Sequence, residues 1–335
     1  MNRWMLTGVV SLLATSLSLP ALADFSNRTI RLSNGIAADH PVADGVRAMT
    51  ECLAEKSDGA MRINAFWSSA LGDDLQATQA LRSGIQEAVV ASPSPLVGMV
   101  PSLGVFDLPF LFADEAEADA VVDGEFGDFI NQELEQVGLI NLAYWENGFR
   151  NVSSSQRPIT RWEDFSGTRI RVMQNNIFLD TFQNLGANPT PMAFGEIFSA
   201  LETGAIDAQE NPFVTIDTSK FYEVQDYVSE TRHAFTPFLV MFSKRIWDTY
   251  SEDEQQALRD CAVVGRDVQR RVIREASLRS KEEIEAAGVA VNEISPEEQQ
   301  RMREKSQVIY DRHRDQIGPE VIDRVQAILA ELRSD

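Results

Sequence analysis

Only three histidines, His40, His233 and His313, occur among the 335 residues, and none stands beside a nucleophile motif. GxSxG, HExxH, GxGxxG and Walker-type loops are all missing, so nothing in the sequence supports an enzyme. Paired carboxylates abound, but so acidic a chain produces them by chance and they carry no catalytic information. Cysteine is equally scarce, with Cys52 and Cys261 alone and no CxxC or Cys/His cluster, which argues against structural zinc. Each falls on the apolar stripe of an expected helix, Cys52 beside Met49 and Leu53, Cys261 beside Leu258 and Gly265. They read either as a bridge or as two small buried side chains. Basic residues are outnumbered, 30 Lys and Arg against 51 Asp and Glu, and a net charge of -21 argues against a nucleic-acid partner. Beyond the N-terminal stretch, no apolar run is long enough to cross a bilayer.

What is present starts with Arg3 and an apolar run from Leu6 to Leu19, closing on Ala21-Leu22-Ala23. A basic residue, an apolar core and an A-x-A site read as a secretory signal peptide over residues 1–23. Thr7, Ser11, Thr15, Ser16, Ser18 and Pro20 make the run too polar for a retained anchor. The mature chain is expected to begin near Asp24; 30 basic groups less Arg3 leave 29 against 51 acidic, or -22. At 44% hydrophobic and 24% charged, with 13 Pro and 19 Gly, the composition is that of an ordinary globular protein. Its length suits two domains or one two-lobed unit.

Thr29–Asn34 reads as a strand, Val42–Lys56 as a helix, Met61–Phe66 as a strand, Leu75–Arg82 as a helix and Ala88–Ala91 as a short buried strand. This βαβαβ order predicts a mostly parallel sheet covered by helices. Pro93, Pro95 and Pro101 interrupt it, Leu108–Phe112 is an apolar loop, and Leu139–Trp145 is another strand. A second cycle follows: Thr168–Met173 as a strand, Ile177–Leu185 and Gly195–Glu202 as helices, and Ile206–Gln209 as a strand. Ala80–Ala88 and Ala200–Ala208 share one form, a helix end, a glycine cap and a strand, which supports two related lobes. Ser251-Glu252-Asp253-Glu254 is a capping box opening a helix toward Ala287, long enough to span both lobes. Ser295-Pro296 opens another helix.

In Thr168–Met173, alternation sends Ile170 and Val172 to one face and Arg169, Arg171 and Met173 to the other. Arg171 lies near the carboxyl end of its strand, where open α/β sheets bind ligands. A guanidinium there can grip a carboxylate through two parallel charge-assisted bonds, or be a solvated or lobe-stapling arginine. Arg150 carries the same two readings at the lobe boundary.

Residues Pro191–Leu201 (PMAFGEIFSAL) and Thr203–Pro212 (TGAIDAQENP) resemble the signature of the DctP-type solute receptors of TRAP transporters, the tripartite ATP-independent periplasmic systems. Leu71-Gly72-Asp73-Asp74, Leu108-Pro109-Phe110, Arg169–Met173 and Leu185-Gly186-Ala187 extend the resemblance over the mature chain. It implies a two-lobed α/β periplasmic binding protein fold, type II-like, with a long helix spanning both lobes. Lobe 1 would hold residues 24–148 with about 237–276, and lobe 2 residues 149–236 with about 277–335. The implied function is capture of a small organic acid, a C4-dicarboxylate or a related hydroxy or sugar acid, by cleft closure. Delivery would be to a permease with a small DctQ-like and a large DctM-like subunit. No catalysis, cofactor or metal is implied, and the receptor would be a monomer in the periplasm of a Gram-negative cell. By the same resemblance Arg171 matches the carboxylate-binding arginine, Asn211 its amide partner, Arg150 a second arginine and Phe194 an aromatic wall.

The chain departs from that pattern in two places. Ala208 stands where glycine is usual, and Ser92-Pro93-Ser94-Pro95 stands where some members present a charged contact. Ser92 and Ser94 are therefore the expected first-lobe contacts, to a hydroxylated or dicarboxylic anion rather than a zwitterion. The alternatives are an exported organic-acid enzyme with His40 or His233 as base, or a ligand sensor on the same frame. His233 is expected in a structural hydrogen bond.

Overall fold

The computed structural model describes residues 25–334, and the expected signal peptide lies outside the described residues. The first cycle gives β1 (Arg28–Asn34), α1 (Val42–Lys56), β2 (Met61–Phe66), α2 (Asp74–Ser83) and β3 (Ala88–Ala91). Helix α2 opens on a capping box, Asp73 Oδ1 accepting the Gln76 N–H at 2.8 Å, and closes at Gly84, whose φ of 74° suits a residue without Cβ. Strand β1 pairs in parallel with both β2 and β3, as the βαβαβ order requires. Helices α3 (Glu115–Val122) and α4 (Glu125–Gln136) lead into β4 (Leu139–Ser154). The second cycle gives β5 (Arg169–Val172), α5 (Asn176–Asn184), β6 (Asn188–Pro191), α6 (Ile197–Glu202), β7 (Ala208–Asn211) and α7 (Phe213–Thr218). Here β5 lies parallel between β6 and β7, so each lobe owns a parallel half-sheet.

The halves are joined by β4 and by β8 (Tyr227–Ser243), two long strands that run antiparallel at the centre of one nine-stranded sheet. The sheet is thus parallel only within each lobe, which corrects the mostly parallel expectation. The expected strand ends at Trp145 and none is expected over β8; Asn147-Gly148 has the composition of a turn, and Pro237 cannot donate to a ladder. The register accommodates both. It shifts between Asn141 and Ala143, Glu146 and Gly148, and Arg150 and Val152, and pairing resumes after each break. Pro237 stands opposite Glu146, whose own N–H and C=O are satisfied by Gln269 at 2.9 and 2.7 Å.

Gln269 belongs to α9 (Glu252–Ala286), which follows α8 (Lys244–Trp247) and precedes β9 (Ala290–Glu293), α10 (Pro296–Ile317) and α11 (Pro319–Leu332). Its capping box is formed, with Ser251 Oγ accepting the Glu254 N–H at 3.2 Å. At 35 residues α9 is about 52 Å long and spans both lobes. Its first half lies on α1, where Cys52 and Cys261 form a disulfide, so of the two cysteine readings the bridge holds. Its second half places Ile284 in the second-lobe core with Ile197 and Ile216. Val321, Ile322, Val325 and Leu329 of α11 pack with Leu81, Leu96 and Phe126. The last helix therefore packs on the core that holds α2 and α4.

Candidate binding cleft

The carboxyl ends of β1 and β3 face those of β5 and β7 across a cleft floored by the crossing strands. Asn34, Asp74 and Ser92 line it from the first lobe, Arg171, Phe194 and Asn211 from the second, and Asn147, Arg150 and Phe238 from β4 and β8. With its mouth, the cleft holds about 570 Å³ of empty space.

Arg171 is buried near the end of β5. Its Nε and Nη2 both donate to the Met192 carbonyl, at 2.9 and 2.7 Å, which fixes the guanidinium plane. Its Nη1 is buried and has no hydrogen-bond partner among the described residues. Burial lowers the side chain to about pKa 10, so it is a cation at neutral pH. No carboxylate pairs with it among the described residues.

Arg150 is fully buried on β4 and, by contrast, already neutralised. Its Nε donates to Glu210 Oε2, and its Nη2 reaches Glu210 Oε1 and Asn211 Oδ1, each at 3.0 Å. Among the described residues only its Nη1 is left without a partner. Burial alone would raise the Glu210 carboxyl, but Arg150 and His233 hold it at about 2. His233 meets Glu210 through Nε2 at 3.0 Å and Thr231 through Nδ1 at 2.8 Å. The Asn211 amide donates to Gln209 Oε1 at 2.6 Å, which leaves one of its two amide hydrogens toward the cleft. One positive charge at this end is therefore uncompensated.

The opposite wall is acidic. Asp74, the first residue of α2, accepts the Ser92 N–H on Oδ2 at 3.1 Å, and burial raises its carboxyl to about 6. A Cβ on Gly35 would stand 3.1 Å from Asp74 Oδ1, so glycine keeps that oxygen accessible. Phe194 packs on Phe221 at 6.0 Å and reaches the first-lobe core, walling the cleft from both sides.

Five of the six sequence-expected residues thus converge: Arg171, Asn211, Arg150, Phe194 and Ser92. Ser94 does not line the cleft; its hydroxyl is fully buried and donates to Asp107 Oδ1 at 2.5 Å. The histidines do not line it either. His40 Nδ1 accepts the Val42 N–H at 3.2 Å, its Nε2 stands 3.4 Å from Thr215 Oγ1, and Thr215 donates to Asn147 Oδ1 at 3.2 Å. His313 pairs with Asp180 at 2.8 Å. Sequence reading holds Glu210 and Asp74 only as parts of motifs and assigns them no role. A signal for Glu210 was available, since Gln209-Glu210-Asn211 puts three polar residues in a row in a strand expected to be buried. Ala208, where the resemblance implies glycine, is unstrained, because its methyl lies in the second-lobe core on an ordinary ladder position.

The profile of a bacterial family described as extracellular solute-binding protein, family 7, matches residues 32–316. The 2,3-diketo-L-gulonate-binding periplasmic protein YiaO of Escherichia coli is 36% identical over 245 residues, 73% of this chain and 75% of that one. The C4-dicarboxylate-binding periplasmic protein DctP of Rhodobacter capsulatus is 30% identical over 321 residues, covering 95% of this chain and 96% of its own. Among solved structures, the sugar acid binding protein DctPAm of Advenella mimigardefordensis, in complex with galactonate, superposes with a TM-score of 0.90 at 40% identity. The match covers 92% of this chain and 99% of that one.

Proposed function

The chain belongs to the bacterial extracellular solute-binding proteins of family 7, the DctP-type receptors of TRAP transporters, and from that premise we propose that it captures a hydroxylated monocarboxylate in the periplasm. The observation that carries this reading is the buried Arg171 guanidinium, a cation whose Nη1 is free and which has no ion-pair partner among the described residues, in a cleft between two lobes. A buried unpaired charge is costly, and an anionic ligand removes that cost. The ligand carboxylate takes Arg171 Nη1, Arg150 Nη1 and the spare hydrogen of Asn211, with Phe194 covering it.

The far wall narrows the class. A second carboxylate would be driven against Asp74, whereas a hydroxyl donates to it, and Ser92 and Asn34 add further polar contacts. An aldonate or uronate therefore fits better than a C4-dicarboxylate, and galactonate, held by the Advenella relative, is of that class. The lobes close over the ligand, the acid is released unchanged, and it passes to the two membrane subunits of the permease.

A thermal-shift series of aldonates, uronates and C4-dicarboxylates tests this. Ligand at about 100 times Kd stabilises by about 2.7 kcal/mol, a clear rise in Tm. D-Galactonate or a related sugar acid should give that rise, succinate much less, and Arg171→Ala should abolish it while leaving the ligand-free Tm unchanged or higher. A response indifferent to Arg171→Ala, or one confined to dicarboxylates, would overturn the reading.

A further inference from the structure

The lobes also meet through buried polar groups beside the cleft. Asp107 ends a 3-10 segment, Pro101–Asp107, whose Val105 and Phe106 sit in the first-lobe core. Its buried carboxylate takes two hydrogen bonds, Ser94 Oγ on Oδ1 at 2.5 Å and Asn175 Nδ2 on Oδ2 at 2.7 Å. Asn175 belongs to the second lobe. Its Oδ1 accepts the Phe178 N–H at 2.9 Å and so caps α5, whose Phe178 and Phe182 lie in the second-lobe core. Its Nδ2 also reaches the Ser94 carbonyl at 3.3 Å. One amide thus serves its own helix with its oxygen and the opposite lobe with its nitrogen.

We infer that Asn175, Asp107 and Ser94 form an interlobe clasp that holds the cleft closed and sets the residence time of the ligand without touching it. Asn175 follows Arg171, Met173 and Gln174, all of which line the cleft, so a ligand that draws β5 inward carries the start of α5 toward Asp107. The approach is close: a Cβ on Gly104 would fall 2.7 Å from Ile177 Cδ1, so glycine lets the 3-10 segment and α5 meet. Opening separates Nδ2 from Asp107 and withdraws Ile177 from the core it shares with Val105 and Phe106, but leaves the helix cap and the Ser94–Asp107 bond intact. Formed in a buried setting, the amide–carboxylate bond is stronger than its exposed equivalent. Asn175 is in this sense a positioning residue, and Ser94 acts through Asp107 rather than on the ligand.

The inference rests on the cleft being the ligand site, and the test separates the two. Wild type, Asn175→Ser, Asp107→Ala and the pair are compared by stopped-flow tryptophan fluorescence with D-galactonate and by small-angle scattering with and without it. Serine caps a helix as well as asparagine but cannot reach Asp107, so the ligand-free Tm of Asn175→Ser should hold. Its dissociation rate should rise roughly tenfold while association changes less than about twofold, and the pair should be no worse than the worse single variant. Unchanged dissociation, a loss confined to association, or additive losses would overturn the clasp. Silence of the wild type toward galactonate would count against the proposed ligand, not the clasp, and the closed fraction of ligand-free protein would then decide. A smaller radius of gyration in wild type than in Asn175→Ser supports the clasp, and identical values overturn it.

Discussion

Arg171 and Arg150 sit in one cleft with opposite electrostatic tasks, because Glu210 neutralises one and leaves the other for the ligand. Buried titratable groups around them set the response to acid. His40 accepts an N–H on Nδ1, which requires a neutral ring, and burial lowers its pKa from 6.5 to about 3. The unfolded chain takes up this proton near pH 6.5, while the folded chain resists until about pH 3. The stability this group contributes is therefore present above pH 6.5 and lost as pH falls through that window, by about 1.4 kcal/mol per unit. His233, also lowered by burial, acts in the same sense. Asp74 and Asp107, raised by burial to about 6 and about 7, act oppositely, since the stability they contribute is lost as pH rises. Urea unfolding of wild type and His40→Gln from about pH 7 to about pH 4.5 isolates the histidine. Wild type should lose stability more steeply on acidification, and parallel curves would refute the assignment.

At the scale of elements, the frame depends on how closely α9 lies on α1. A methyl on Gly265 would stand 2.6 Å from the Trp145 ring and 2.8 Å from the Gly45 carbonyl. The ring is itself fixed, donating through Nε1 to the Ala262 carbonyl at 3.0 Å. Alanine is the better helix former by about 1 kcal/mol, but overpacking costs about 1–3 kcal/mol. Gly265→Ala should therefore lower stability in urea denaturation, and an unchanged or higher midpoint would mean that the two helices can part freely. The same elements show what sequence reading reaches. The span of α1, the limits of β2 and β3 and the capping box of α9 were all legible, because each is set by local periodicity or a local cap. Strand β8 and β4 beyond Trp145 were not, because what makes Gly148 and Pro237 tolerable is the opposite strand and Gln269, more than a hundred residues distant from Glu146. In the cleft, Arg171, Asn211 and Phe194 were legible as motif positions. Glu210 needs Arg150, 60 residues away, before its charge has meaning, and the bond that turns Ser94 from the cleft is invisible locally because its partner Asp107 lies on another segment.

For the whole molecule, the net charge of -21 opposes the cation that Arg171 presents to the cleft. An approaching monoanion meets the long-range field first and Arg171 last. At about 0.01 M salt the screening length is about 30 Å and the repulsive field extends well past the cleft mouth; at about 0.15 M it is about 8 Å and only nearby groups act. Association of D-galactonate should therefore accelerate with added NaCl, by a few-fold between roughly 10 and 150 mM. Dissociation depends on contacts inside a closed cleft, where mobile ions do not enter, and should stay nearly flat. Affinity would then rise with salt, the reverse of what a receptor steering its ligand by net charge would give. Stopped-flow traces at four or so salt concentrations decide it. If association instead slows as salt is added, the guanidiniums of Arg171 and Arg150 project their field beyond the mouth, and the acidic surface is arranged to leave that path open.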